Sequence, residues 1–144
     1  IYLSDEPEEI KTKIMSMFTD PTHLRKDDPG HTEGNPVFIY LDAFCRPEHF
    51  AEFLPEYQSL DELKVHYQRG GLGDVTVKKF LNNVMQTELR PIRERRKEWE
   101  HRLPEVYEIL RVGSEKAEQV AAKTLHAVRS AMKIDYFEND NLLR

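Results

Sequence analysis

Between about Asp74 and His101, Val77, Phe80, Leu81, Val84, Leu89 and Ile92 fall on one side of a 3.6-residue period. No strand can use that period, so this stretch predicts an amphipathic helix of ~42 Å at 1.5 Å per residue. The cluster Gly70-Gly71-Leu72-Gly73 before it reads as the end of one helix and the start of the next. Pro91 lies inside the pattern and frees the carbonyl of Thr87. An interior proline costs ~3 kcal/mol or more, which predicts a kink retained because both halves bury apolar faces. Lys78 and Lys79 mark the first exposed turn, and Arg90, Arg93, Arg95, Arg96 and Lys97 the second half.

The remaining segments are shorter and also helical in pattern. Residues 1–3 read as a strand end or an extended entry. Ser4 or Asp5 is positioned to cap a first helix with Pro7 in its first turn. That helix, with Ile10, Ile14, Met17 and Phe18 on one face, should end near Thr19-Asp20-Pro21. Residues 20–35 form a long polar loop, the kind that is more often functional than idle. Asn35-Pro36 starts a short, very apolar helix over 37–45 that should be nearly buried. Pro47-Glu48 opens another short turn that Pro55 closes, and Ser59 with Glu62 forms a capping box for a helix stopping at Gly70. A helix from Leu103-Pro104 should stop near Val112 at Gly113, with Ser114 capping a last helix over 115–132. There Ala117, Val120, Ala121, Thr124, Val128 and Met132 make a narrow stripe suited to close helix packing. The tail 133–144 has no clear period. The expected fold class is all-α, an irregular helical bundle built round one long kinked helix.

Composition removes several classes of function. The 144 residues suit one domain with a core, and 33% charged against 39% apolar is the balance of a folded helical chain. A net charge of −5 argues against a general nucleic-acid coat, yet residues 90–97 hold five basic side chains and only Glu94. Cys45 is the only cysteine, so no intrachain disulfide forms and a reducing compartment, the cytoplasm, is expected. The longest apolar run, Val37 to Leu41, is too short to cross a bilayer, and neither a membrane nor DNA is expected as a partner. The chain opens on Ile1 rather than Met, which reads as an excised piece of something longer.

Self-contained chemistry is not legible. Gly71-Leu72-Gly73 lacks the third glycine of a dinucleotide loop and follows a helix, so helix capping accounts for it. Cys45 and His49 stand four apart with Pro47 between them and no second ligand pair. Asp27, Asp28, Glu33 and Asn35 do not have the spacing of a calcium loop. The histidines are scattered, and no Ser/His/Asp or Cys/His set is visible. Catalytic, metal and cofactor residues are therefore expected to be none in this chain. The basic positions remain, as phosphate contacts on a helix face or as a solvated face paired with Glu94 and Glu98. Trp99, Tyr67, Tyr40 and the phenylalanines are the side chains able to stack on unpaired bases.

The run Gly70-Gly71-Leu72-Gly73-Asp74-Val75-Thr76-Val77-Lys78-Lys79-Phe80-Leu81, followed by Leu89-Arg90-Pro91-Ile92-Arg93-Glu94-Arg95-Arg96, resembles the C-terminal helical region of bacterial tryptophanyl-tRNA synthetases. A looser version of it occurs in the sister tyrosyl enzymes. Ile1 to Asp5 with Ile10 resembles the segment after the second class I signature loop. Thr19-Asp20, Arg25 and Asp28-Pro29-Gly30 are similar to the family's post-helix loop, and Gly113 to Ala117, Val120-Ala121, Thr124-Leu125 and Val128-Arg129 to its terminal helix. The resemblance covers about residues 1–136.

That resemblance implies a parent, a homodimer, that joins tryptophan to tRNA(Trp) with ATP and Mg2+. Both class I signatures would lie in a catalytic domain before Ile1. Lys13-Ile14-Met15-Ser16-Met17 is not the second signature. On this expectation residues 1–5 end the catalytic segment, 6–132 form an anticodon-binding domain, 133–144 a tail, and the fragment binds tRNA without chemistry. Lys78 is the leading tRNA contact, with Lys79, Asp20, Arg25 and Arg93 behind it. The competing expectation is a helical protein-interaction module with a basic docking face.

Overall fold

The computed structural model describes residues 1–18 and 20–136 and contains six helices, with no strand among the described residues. They are α1 (Pro7–Met15), α2 (Pro36–Phe44), α3 (Pro47–Phe53), α4 (Leu60–Arg69), α5 (Asp74–Glu100) and α6 (Leu103–Met132). The all-α expectation holds. The chain divides into two compact units, Ile1–Arg96 and Lys97–Arg144. No helix among the described residues is long and apolar enough to cross a membrane.

The first unit holds the core. Val77, Phe80, Leu81, Val84, Met85 and Leu89 of α5 are buried against Ile10 and Ile14 of α1, Val37, Phe38 and Leu41 of α2, Phe50 of α3, and Leu63 and Tyr67 of α4. Phe50 and Phe80 meet at 4.8 Å between ring centroids, and Phe38 and Tyr67 at 4.9 Å. The expected stripe is thus the core-facing side of α5, except that Ile92 is exposed and Met85 joins it. Helix α5 passes through Pro91 without ending, and Pro91 is exposed.

Several local expectations need correction. The entry at residues 1–3 is not a strand end but leads into a turn, closed where the Tyr2 N–H donates to the Asp5 carboxylate at 2.8 Å. Asp5 also pairs with Lys13, which holds its carboxyl below the usual range. The N-cap of α1 is Glu6, whose N–H donates to the Glu9 carboxylate at 2.9 Å. At its other end α1 stops at Met15, well before Pro21, and Thr19 lies outside the described residues. The cause is α5, because the Lys78 ammonium donates to the carbonyls of Met15 and Met17 at 3.1 and 2.8 Å. The Ser16 hydroxyl takes the Lys13 carbonyl at 2.9 Å. The Met15 carbonyl is thus taken by α5, while those of Thr12 and Ile14 accept from the N–H groups of Ser16 and Met17, so the last-turn acceptors are satisfied without a further turn. Helix α2 starts at Pro36, with the Asn35 side chain accepting from Val37 N–H at 3.0 Å, but it is buried on one side only, since Ile39 is 55% exposed.

The largest correction concerns the second unit. The sequence pattern ends one helix at Gly113 and caps another at Ser114, whereas both residues lie inside the single 30-residue α6. A terminating glycine works by adopting a left-handed conformation, and Gly113 is not among the positive-φ residues. Arg111 bridges the position by pairing with Glu108 at 2.7 Å and with Glu115 at 2.5 Å. The left-handed C-cap falls instead at Lys133, φ 55°. No residue of α6 is buried, the expected small-residue stripe included. The tail expectation for 137–144 lies outside the described residues.

Two substitutions probe these features by urea unfolding followed by helical circular dichroism. Gly70 ends α4 at φ 87°, and a Cβ there would lie 2.4 Å from the Asp27 carbonyl oxygen. Gly70→Ala should therefore destabilise the first unit by ~2 kcal/mol or more, from left-handed strain plus displaced backbone. Gly113→Ala, with open space around the new methyl group, should stabilise α6 by ~1 kcal/mol. A loss instead would show that the chain needs to bend at Gly113.

Candidate nucleic-acid interface

Antiparallel packing of α1 on α5 builds the site's frame. The C-terminal end of α1 is held by Lys78, and its first turn is held where the Gln86 amide donates to the Pro7 carbonyl at 2.9 Å. The 20–35 loop leaves from the Lys78 end and is held down by Tyr67 of α4. Gly30 N–H donates to the Tyr67 carbonyl at 3.1 Å, and a Cβ on Gly30 would sit 2.3 Å from the Tyr67 ring. The Tyr67 hydroxyl donates to Asp74 at 2.7 Å, and burial followed by that bond pushes its pKa up. Gly71 N–H donates to the Lys26 carbonyl at 2.6 Å and Gly70 N–H to the Tyr67 carbonyl at 3.3 Å. Those glycine amides are committed to the fold and do not fit the phosphates of ATP.

At this corner Met15, Asp20, His23, Leu24, Asp74, Val75 and Lys78 line a groove of about 430 Å³. Leu24 and Val75 are 85% and 54% exposed, whereas Asp20, His23 and Lys78 are buried. A smaller groove of about 170 Å³ lies on the other side of Asp20, walled by the exposed Phe18 with His31 and Asn35. Asp20 organises both. One carboxylate oxygen accepts from the Thr22 hydroxyl and N–H at 2.6 and 2.8 Å, and the other from the His31 ring and N–H at 2.7 and 2.9 Å. Those bonds, Thr22's hydroxyl first, hold the Asp20 carboxyl far below its usual range. A carboxylate offers about four acceptor sites, and all are occupied by its own loop.

Sequence reasoning placed Lys78 on an exposed turn; instead it is 5% exposed. The reason is the register of α5, which turns Lys78 with Val77 and Leu81 toward α1 and leaves Lys79 outside. Arg25 is exposed, its N–H donating to Asp28 at 2.8 Å. Lys78 and Asp20 therefore share the groove, whereas Arg93 lies 15 residues, or ~22 Å, further along α5. Of the proposed stacking residues, Tyr67 is fully buried, and Trp99, which is exposed, has the Arg102 guanidinium over its ring at 4.6 Å from the centroid. His23 was missed. Its Nε2 meets the Leu72 carbonyl at 3.1 Å across 49 residues of chain, a pairing with no local signature. His49 uses both ring nitrogens within the fold, accepting from Arg46 N–H at 3.0 Å and facing Glu88 at 3.3 Å, so Cys45 and His49 do not form a ligand pair.

Asp20 makes this corner acid-sensitive in a defined direction. Its folded pKa lies below the ordinary carboxylate value of 3.8, so its contribution is complete above about pH 4 and is lost as pH falls through the folded value. Asp20→Asn should be less stable than wild type at pH 7, and the gap in urea midpoint should shrink between about pH 5 and pH 2. A constant gap over that range would mean that the carboxylate charge does not hold the loop.

No protein-family model matches the chain. It is similar to the tryptophan–tRNA ligase of Clostridium longisporum, 56% identical over 139 residues that cover 96% of this chain and 38% of that protein. To the tryptophan–tRNA ligase of Streptococcus pyogenes it is 51% identical over 137 residues, again 38% of the relative. Among solved structures, tryptophanyl-tRNA synthetase from Campylobacter jejuni superimposes with a TM-score of 0.68 at 23% identity, over 92% of this chain and 39% of that one. The chain thus spans about two-fifths of the length of its curated relatives. Through 96% of its length it is a sequence of the tryptophan–tRNA ligase family.

Proposed function

We propose that this chain is the C-terminal, tRNA-binding part of a cytoplasmic, homodimeric tryptophan–tRNA ligase, and that it receives the anticodon arm of tRNA(Trp). In this reading ATP and Mg2+ serve tryptophan activation in the remainder of the enzyme, and the chain itself carries out no chemistry. The observation that carries it is the groove at the α1–loop–α5 corner, where exposed Leu24 and Val75 lie beside buried Asp20, His23 and Lys78. Unpaired bases need an apolar surface for their faces and fixed polar groups for their edges, and this corner supplies both.

The roles divide by exposure. Lys79 and Arg25, both exposed, attract phosphates without reading sequence. Lys78 shapes the groove by holding the end of α1, and its buried charge adds to the local potential. Asp20 sets the loop conformation that presents Leu24 and His23 to an incoming base. Arg93 belongs to a separate part of the surface.

Fluorescence anisotropy with a labelled tRNA(Trp) transcript at about 50 and 200 mM salt tests this. Lys79→Ala and Arg25→Ala should each weaken binding ~3- to 10-fold at low salt and lower the salt slope by about one. A transcript with an altered anticodon should bind more weakly to wild type. Binding indifferent to salt, to both substitutions and to the anticodon would sink the proposal. Lys78→Ala should reduce both tRNA affinity and the urea midpoint, because it also releases the end of α1.

A further inference from the structure

At the other end of α1, away from the anticodon groove, a second groove of about 430 Å³ separates the first turn of α1 from the middle of α5. Lys11, Arg90 and Arg93 line it, against one carboxylate, Glu8. The Glu8 carboxylate makes a long contact to Lys11, 3.4 Å between two exposed side chains. Gln86 sets the geometry. Its amide nitrogen donates to the Pro7 carbonyl and its amide oxygen accepts from Arg93 Nη2 at 3.0 Å. The Arg93 guanidinium is thereby held beside the start of α1.

Two features of that arrangement point to an anion. Arg93 Nη1 is buried with no hydrogen-bond partner, and a buried charged donor without an acceptor is costly to keep. Arg90 is exposed, with no ion pair among the described residues, although Glu94 stands four residues on. Guanidinium groups present paired N–H donors that match phosphate oxygens. Three cations against one carboxylate exceed what a single carboxylate would balance and suit a phosphate.

We propose that this groove is a phosphate-oxyanion site in which Arg93 and Arg90 grip the oxygens and Lys11 closes the side toward α1. The phosphate is either a phosphodiester of bound RNA or a free phosphate; only the first source rests on the tRNA reading above. The site lies ~22 Å along α5 from Lys78, so one strand reaching both would span several nucleotides.

Two measurements on the 144-residue chain decide it. Inorganic phosphate is titrated while the arginine Nε–Hε resonances are followed by NMR, with chloride at matched ionic strength as control. Saturable shifts at Arg90 and Arg93, lost in Arg93→Gln and in Arg90→Gln, are expected; shifts no larger than with chloride would overturn the site. Arg93→Lys, which keeps charge but not the fork, should bind phosphate more weakly than wild type. Arg90 is exposed, so Arg90→Gln carries the test if Arg93→Gln does not fold. In parallel, the double variant Arg90→Gln/Arg93→Gln is titrated with tRNA(Trp). A ~10-fold loss and a lower salt slope, not reproduced by removing two exposed charges of α6 in Lys116→Gln/Lys123→Gln, assign the site to an RNA phosphate. Phosphate shifts with unchanged tRNA affinity assign it to free phosphate. Failure of wild type to bind any tRNA would reject the anticodon proposal, and the phosphate titration would still decide this one.

Discussion

Tyr67 is fully buried at the end of α4, and three otherwise independent segments are fixed against it. Its ring packs on Phe38 and His23, its carbonyl takes the amides of Gly30 and Gly70, and its hydroxyl reaches Asp74 at the start of α5. Each partner is spent on one residue, so loop, turn and long helix cannot move apart without exposing an aromatic ring and several polar groups together. Such coupling makes a long polar loop an ordered surface rather than a tether. The groove at the loop's base inherits its shape from that joint.

The second organising contact is the clamp of α1 onto α5. Ile10 and Ile14 supply apolar burial, but direction and register come from polar side chains of α5. Lys78 takes the carbonyls at one end of α1, and Gln86 takes Pro7 at the other. One groove lies at the C-terminal end of α1 and the other between its first turns and the middle of α5. The carbonyl end of α1 meets a buried ammonium, and its first turns border a recess lined by Lys11, Arg90 and Arg93. One packing event therefore creates two chemically different surfaces.

Within the site, local sequence patterns were informative about elements and poor about exposure. Lys78 and Lys79 are adjacent and chemically alike, yet one is buried and the other exposed. A step of about 100° around a helix separates them, and only the position of α1 decides which is covered. Asp20 was a candidate contact through the family resemblance of its loop; in the fold its oxygens are consumed by Thr22 and His31. His23 gave no signal, since its partner Leu72 is remote in the chain. Gly113 misled for the opposite reason. A glycine after a helical pattern is a common terminator, but terminating requires a left-handed turn, and here the flanking Arg111 pairs carry the helix through.

What the sequence determined by itself was the all-α class, the core face of α5, the starts of α2 and α4, and the family. These depend on short-range periodicity, on cap residues two or three positions from their partners, and on residue runs that need no three-dimensional context. Only the tertiary structure decided where α1 stops, which lysine is covered, that Asp20 serves its own loop, and that Lys11, Arg90 and Arg93 share a groove. Those outcomes depend on contacts between residues up to about eighty positions apart, such as Pro7 with Gln86. Packing geometry sets such contacts, and no pattern within a single segment records it.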